Sequence, residues 1–285
     1  MEGNKKRKRS DDMDVDEDNI DEYNLENQIP GEIVNVEFEF SNIKEDDFHI
    51  MKSLLTPMFQ FEKSINIAEL ADCLIKQNQD VGTTIRNESQ IFGLFSYVPL
   101  TIPFKKQNHS IFIDQFFNYL ENKINKYIED INKRNIKKYN ISFVISERVL
   151  NLAEETIPPA LGFATKEIIE SRDVETDEKT YDNRFEFDYL IVISKFVKFQ
   201  DNVKHGKKAK LDEIQIKYEN EAYYKFEFPL FLEKSLMQIE YKIPYKENKM
   251  EMLEHKKEPQ YIKIIMIKAK DYYDILLKKL GCKFE

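Results

Sequence analysis

The sequence predicts an α/β protein in which a mixed β-sheet carries helices on both faces. The residues from 189 to 193 (YLIVI), inside a strand predicted at 185–196, form an unbroken apolar run that is β-branched at three of five positions. Such a run is typical of a strand buried on both faces; a buried helix is the less favoured alternative, because the run is short and ends in a charged loop. Helical sequence separates this strand from one predicted at 141–145. That order indicates a parallel crossover, which we expect to be right-handed.

Hydrophobic spacing also predicts the elements that precede this crossover. Apolar and polar residues alternate from Val34 to Phe40, which predicts a half-exposed strand. Asp46 or Asp47 can cap a helix that Pro57 should end, and Asn66 can cap a second helix. The remaining elements are a hairpin of strands at 81–86 and 91–98 joined by a turn at 87–90, and a long amphipathic helix from Ser110 to Arg134.

Within and after the crossover, helical sequence runs through Leu152 and again from Pro158 to Glu170. Proline suits the first turn of a helix, so Pro158 marks a helix start. The later elements predicted are strands at Tyr223–Phe228 and Tyr261–Ile267 and a helix at Asp271–Leu280, with Gly281 as its C-cap. We find no internal repeat.

The N-terminal residues 1–32 are predicted to be a disordered tail, and residues 33–285 a single α/β domain. Blocks of like charge repel one another and bury nothing. Five consecutive cations have the composition of a nuclear localisation signal, and a solvated charge run is the alternative interpretation. These cations are Lys5, Lys6, Arg7, Lys8 and Arg9. The acidic tract that follows, a flexible polyanion or a solubilising tail, includes Asp11, Asp12, Asp14, Asp16, Glu17 and Asp18.

Composition restricts the classes of function. The 285 residues include 21 Phe and 15 Tyr, enough for a sizeable core, and the net charge is −9. An acidic surface disfavours nucleic acid as the main partner and favours basic proteins. Cys73 and Cys282 lie far apart in sequence, which indicates a reducing compartment and neither a disulfide framework nor a zinc site. No stretch approaches the roughly 20 apolar residues of a membrane span, so we expect no direct membrane binding.

The sequence lacks the patterns that usually carry small-molecule chemistry. No two of its seven glycines lie within ten residues of each other, so a glycine-rich phosphate loop for a nucleotide or coenzyme A is absent. The four histidines are scattered, and no nucleophile elbow occurs. Glu147 and Arg148 follow a predicted strand, where ligand-binding loops often lie, but a structural ion pair or a helix start is favoured over catalysis. We therefore expect no catalytic residue, no cofactor and no metal.

Eight segments of the sequence, taken in order, carry a family resemblance. They are VNVEFEF (34–40), IMKSLL (50–55), AELADCLIKQN (68–78), VGTTI (81–85), IFGLFSYVPL (91–100), ISERVLNL (145–152), DYLIVISKF (188–196) and YYKFEF (223–228). Together they resemble the BCCIP family of nuclear proteins, first described as partners of tumour-suppressor and cell-cycle inhibitor proteins. No single segment is a catalytic signature, and the ordered set makes the resemblance specific from about Ile33 to Leu280.

The resemblance implies a fold related to the GNAT acetyltransferases without a working coenzyme A site. It also implies a nuclear protein that shuttles to the cytoplasm, chaperones a basic large-subunit ribosomal protein for ribosome assembly, and supports nuclear export of cargo such as a phosphatidylinositol phosphate kinase, together with transport factors. The basic loop with Lys207, Lys208 and Lys210 matches a Lys-rich family segment. One departure is that Ala153, Glu154 and Glu155 stand where the family usually has Pro-Pro-Gln.

The leading hypothesis is thus a non-enzymatic nuclear chaperone or adaptor, with the acidic tract and the Lys207–Lys210 loop as candidate partner-binding segments. A GNAT-like acetyltransferase is the second hypothesis, suggested by the implied fold alone, and a fold does not determine a function. A regulatory adaptor in genome maintenance or cell-cycle control is a further alternative. Direct RNA binding through scattered lysines is less favoured in an acidic chain.

Overall fold

One eight-stranded sheet is the framework of this protein. A computed structural model describes residues 36–59, 62–77, 81–100, 111–124, 139–172, 185–199, 220–244 and 259–284. The strands are β1 (Glu39–Asn42), β2 (Thr83–Asn87), β3 (Gln90–Pro99), β4 (Ile141–Arg148), β5 (Tyr189–Lys198), β6 (Glu221–Tyr223), β7 (Ser235–Lys242) and β8 (Gln260–Lys268). The helices are α1 (Phe48–Phe59), α2 (Ile67–Gln77), α3 (Ile111–Ile124), α4 (Ile157–Arg172), α5 (Phe228–Leu232) and α6 (Ala269–Lys278).

The strands lie in the order β1-β2-β3-β4-β5-β8-β7, and β6 pairs with β5 beside β4. The pair β4–β5 is parallel, whereas the other pairs are antiparallel. Helix α4 connects the two parallel strands, which confirms the predicted crossover. The sheet is therefore mixed, as the sequence predicts.

Each face of the sheet has its own hydrophobic core. One core packs α1, α2 and α3 against the sheet, and the other packs α4, α5 and α6. Strand β5 contributes alternately to both, with Ile191 and Ile193 on the first side and Leu190 and Val192 on the second. A strand buried on both faces needs apolar residues at every position, which is why the run at 189–193 does not alternate.

Local signals placed several elements correctly. The side chain of Asn66 accepts a hydrogen bond from the backbone N–H of Ala68, 3.1 Å away, and caps α2 as predicted. The hairpin β2–β3 turns through Glu88 and Ser89, with Glu88 in the left-handed region at φ 52°. Pro158 lies in the first turn of α4. Gly281 adopts φ 67° beyond α6, a conformation that a glycine reaches without strain. The C-cap of α6 is Lys279, however, so the prediction of Gly281 as the C-cap is wrong by two residues.

Other predictions need correction. Helix α1 continues past Pro57 to Phe59, because a proline this close to the helix end removes little of its hydrogen bonding. Residues 149–153 form a turn, and Leu152 is buried in it instead of continuing a helix. Strand β1 begins at Glu39, and β4 extends through Arg148. Of the strand predicted at Tyr223–Phe228, only Tyr223 lies in a strand, as the last residue of β6, and the range continues as a turn up to Phe228, where α5 begins.

Some predictions fall outside the described residues. The tail of residues 1–32 and the basic loop at 204–210 are among them, as is the predicted continuation of α3 beyond residue 124. Strand β7 had no counterpart in the sequence analysis. Residues Glu37–Glu285 form one compact unit by their contacts.

Candidate functional site

The parallel strands β4 and β5 stay together for only part of their length. Residues 141–143 of β4 pair with residues 189–191 of β5, and beyond them the strands separate. Further along, the same edge of β5 pairs with β6 at residues 196–198. Open α/β sheets bind ligands at the carboxyl ends of their parallel strands, so the gap between β4 and β5 is the candidate ligand site of this fold.

The segment Tyr224–Glu227 of the chain itself fills this gap. On the β5 side, the backbone N–H of Tyr224 donates to the carbonyl of Lys195 over 3.1 Å. The ammonium group of Lys225 donates to the carbonyl of Ile193 over 2.9 Å and to Oε1 of Glu147 on β4 over 2.5 Å. Lys225 is buried and connects the two separated strands. Two carbonyls of β5 in the separated region, those of Ile193 and Lys195, thus find partners within the chain.

A second ion pair connects the same segment to the end of β4. The guanidinium of Arg148 donates two hydrogen bonds to the carboxylate of Glu227, each 2.8 Å long, and the hydroxyl of Ser146 donates a third over 3.1 Å. The ring of Phe226 lies over the guanidinium, with its centroid 5.6 Å from Cζ. The Glu227 residue is only 2% exposed. This bidentate geometry is the strongest form of a carboxylate–arginine pair.

Burial and charge act in opposite directions on the ionisable groups of the gap. Burial by itself would raise the pKa of Glu227, but the hydrogen bonds and positive charge of Arg148 outweigh it and hold that pKa below its usual value. Burial lowers the pKa of Lys195, an effect that the negative charge of Glu147 opposes and the positive charge of Lys225 reinforces. Since both carboxylates are engaged by cations, the arrangement stabilises the sheet and leaves neither carboxylate open to a substrate.

Little space remains beside the filled gap. The cavity next to Lys225 and Glu227 has a volume of about 10 Å³, roughly the space of one water molecule. A small-molecule cofactor needs a pocket of at least about 300 Å³. The lining residues are Val144, Ser146, Leu161, Val192, Lys225, Glu227, Phe228, Phe231 and Tyr272.

The candidate residues from the sequence have different outcomes. Glu147 and Arg148 form the ion pairs expected of a structural role, and the alternative of a helix start is wrong because both lie on β4. Lys225 and Glu227 were missed as partners, although charged residues between aromatics in YYKFEF were visible. The candidate cations and carboxylates of the tail and the loop residues Lys207, Lys208 and Lys210 lie outside the described residues.

The described residues offer no other ligand signature. Among them, no group of three or more His, Cys, Asp and Glu side chains is arranged to hold a metal ion. None of the described helices has the length and apolarity that crossing a bilayer requires.

Comparison with known proteins identifies the family. The family model described as BCCIP matches residues 33–273. The chain belongs to the BCCIP family. This BCCIP protein is 28% identical over 181 residues to Protein BCP1 of Debaryomyces hansenii and 29% identical over 187 residues to Protein BCP1 of Saccharomyces cerevisiae. The first alignment covers 59% of this chain and 56% of its relative, and the second covers 63% and 60%. The chain therefore matches little more than half the length of each relative.

More distant relatives of this BCCIP protein carry a different name. The BRCA2 and CDKN1A-interacting protein of Bos taurus is 23% identical over 233 residues, covering 75% of this chain and 71% of its own length. The name describes that relative as a protein that binds other proteins.

One solved structure supports the fold of this BCCIP protein. It is similar to the crystal structure of BCP1 from Saccharomyces cerevisiae with a TM-score of 0.58 at 20% identity, over 89% of this chain and 92% of that one. A mosquito arylalkylamine N-acetyltransferase-like protein is similar over 82% of this chain and all of its own, with a TM-score of 0.36 at 11% identity. A score that low supports no argument about function.

Proposed function

We propose that this protein is a non-enzymatic adaptor that binds and shields a basic client, specifically a large-subunit ribosomal protein, during ribosome assembly. The observation that carries the proposal is the filled gap in the sheet. Where this fold could hold a small molecule, Lys225 and Glu227 occupy the space and are paired to Glu147 and Arg148. The outer surface is then the part of the molecule through which it acts, and the chain as a whole carries a net charge of −9.

The physical basis is charge complementarity. A newly made ribosomal protein has a cationic RNA-binding face, which aggregates or binds the wrong polyanion. An acidic partner with exposed apolar side chains covers that face until ribosomal RNA displaces it. We extend the proposal to export of protein cargo from the nucleus, for which the family resemblance offers a phosphatidylinositol phosphate kinase as an example.

A regulatory adaptor in genome maintenance or cell-cycle control is the second candidate. The printed name of the bovine relative, a BRCA2 and CDKN1A-interacting protein, favours it. Both candidates are protein-binding functions and differ in the partner.

Affinity capture tests the proposed client. We expect the tagged full chain to retain basic large-subunit ribosomal proteins from an RNase-treated nuclear extract at about 0.1 M salt, and to lose most of them at about 0.5 M, where screening is stronger. Acetyl-coenzyme A added to the pure protein should leave its melting temperature unchanged. If no basic ribosomal protein is captured at low salt, the proposed client is wrong. If acetyl-coenzyme A raises the melting temperature, the proposal that the protein is not an enzyme is contradicted.

We also propose that the protein is nuclear and shuttles to the cytoplasm, with the cluster Lys5–Arg9 as its localisation signal. Replacing all five cations with alanine should leave a fluorescent fusion in the cytoplasm. A fusion in which Lys207, Lys208 and Lys210 are replaced instead is the control and should remain nuclear. Nuclear accumulation of the first fusion would exclude the cluster as the signal.

A further inference from the structure

A group of apolar side chains lies beside α4, contributed by β1 and the residue before it, by β3, by the turn after β4 and by α4 itself. We call it the Phe40 patch, and it comprises Phe38, Phe40, Phe92, Val149, Leu150 and Phe163. The rings of Phe38 and Phe92 pack edge to face with centroids 5.5 Å apart, and those of Phe40 and Phe163 lie 5.2 Å apart. The backbone N–H of Val149 donates to the carbonyl of Phe92 over 2.9 Å, which holds the turn after β4 against the patch.

The patch extends outward from the second core, against which Phe38, Phe40 and Phe92 pack while partly buried. Leu150 is 78% exposed and Phe163 is 48% exposed, and Val149 is also exposed. Single apolar side chains on a surface are ordinary, but a group that combines phenylalanines from two strands and a helix with exposed residues of the turn after β4 indicates a binding surface.

The patch borders an open edge of the sheet. Strand β1 is the terminal strand, and in the described part of residues 37–284 only β2 pairs with it. In an antiparallel pair, every second residue of the edge strand directs its N–H and C=O away from its partner. Such an edge can accept a further strand from another protein through main-chain hydrogen bonds.

The surroundings of the patch and edge are acidic. Five exposed carboxylates lie along β1, in the β2–β3 turn and just before α4, and none of them forms a salt bridge with a described residue. They are Glu37, Glu39, Glu88, Glu154 and Glu155. The two arginines of this region are already neutralised, since Arg86 is paired with Asp47 and Arg148 with Glu227. Lys166 on α4 is paired with Glu170, and the exposed Lys44 after β1 offsets one of the five negative charges. An approaching segment therefore meets net negative charge.

We propose that the edge of β1 and the Phe40 patch bind an extended basic segment of the client protein. The segment adds a strand to β1, places its apolar side chains on Phe40 and Phe163, and directs its lysines or arginines to the carboxylates around the patch. This inference rests on the proposed function, because the occupant is taken from the basic client proposed above. Charge complementarity selects a cationic strand over a neutral or acidic one.

The test uses the full chain and a defined probe, a fluorescein-labelled ten-residue peptide that alternates Lys with Val. We expect the peptide to bind, and Leu150→Ser combined with Phe163→Ser to weaken binding about tenfold or more in fluorescence anisotropy. Leu236→Ser is the matched control, because Leu236 is 50% exposed on β7 at the opposite edge of the sheet, and should not change the affinity. Hydrogen exchange should show new protection of the β1 amides when the peptide binds.

Other outcomes would overturn the inference. The surface would be excluded if Leu150→Ser/Phe163→Ser and Leu236→Ser bound the Lys-Val peptide with the same affinity. It would also be excluded if a peptide that alternates Glu with Val bound as tightly as the Lys-Val peptide, or if peptide binding protected the amides of β7 instead of those of β1. Client capture that is intact in the wild type and in Leu150→Ser/Phe163→Ser would exclude the surface and leave the proposed function standing. Capture of no basic protein by the wild type would exclude the function itself.

Discussion

Replacing Glu227 with glutamine should lower the free energy of unfolding by about 3 kcal/mol, the cost of leaving a buried charge without its partner. The guanidinium of Arg148 is itself largely buried and would keep its charge, facing a neutral amide in place of a carboxylate. The substitution keeps the size of the side chain, so packing changes little. Urea unfolding at neutral pH measures the loss.

The same pair fixes the expected pH dependence. The pKa of Glu227 lies below its unfolded value, which is about 4.3 for a glutamate. A depressed pKa contributes stability that is present above the unfolded value and is lost as pH falls through the folded one. The difference in stability between the wild type and Glu227→Gln should therefore shrink as pH falls below about 4. A difference that stays constant into acid would contradict this assignment.

An exposed pair provides the matched control. Glu170 is paired with Lys166 at 3.7 Å on the surface of α4 and its side chain is 65% exposed. Glu170→Gln should change the unfolding free energy by about 0.5 kcal/mol or less. Replacing both buried partners, as Arg148→Met with Glu227→Leu, should recover much of the loss, since no charge is then left unpaired. Equal effects of the two single glutamine variants would mean that the buried pair adds nothing.

Replacing Phe116 with alanine should cost about 3 to 5 kcal/mol of unfolding free energy. Phe116 lies on α3 and is fully buried in the first core, with its ring centroid 4.6 Å from that of Phe143 on β4. It also contacts Phe59, Phe112 and Tyr119. Because these rings come from two helices and a strand that are packed together, we expect the vacated volume to collapse only in part. Thermal or urea unfolding measures the loss.

The control for this prediction is Phe163→Ala. The ring of Phe163 packs against Phe40 but is half exposed, so its removal should cost about 1 kcal/mol or less. A loss as large as that of Phe116→Ala would place Phe163 among residues needed for folding. In that case the variant Leu150→Ser/Phe163→Ser would not separate a loss of client binding from a loss of folding.

The sequence predicted correctly those features that depend on residues within a single element. The apolar run of β5 indicates that the strand is buried on both faces, and the side chain of Asn66 caps α2 by accepting a hydrogen bond from the backbone N–H of Ala68. In both cases the deciding interaction depends on local pattern, which a single sequence displays. The parallel pairing of β4 and β5 followed from the order of elements and from the limited ways in which a crossover can be built.

The candidate site could not be predicted in the same way. Lys225 and Glu227 alternate with aromatic residues, a pattern that also suits a strand, and their partners Glu147 and Arg148 are almost eighty positions earlier. No spacing rule connects residues so far apart. Strand β7 was missed although its sequence shows the pattern of a half-exposed strand, because Met237, Ile239 and Tyr241 alternate with the polar residues between them.

The position of β8 has a consequence for biosynthesis. It is the last strand in the chain, yet it lies between β5 and β7 and pairs with β5 along nine residues, from Gln260 to Lys268. During translation, the edge of β5 that pairs with β8 therefore stays unpaired until nearly the whole chain has been synthesised. A ribosome that stalls before residue 260 releases a product with an open sheet centre, which is exposed to aggregation and to quality-control proteases.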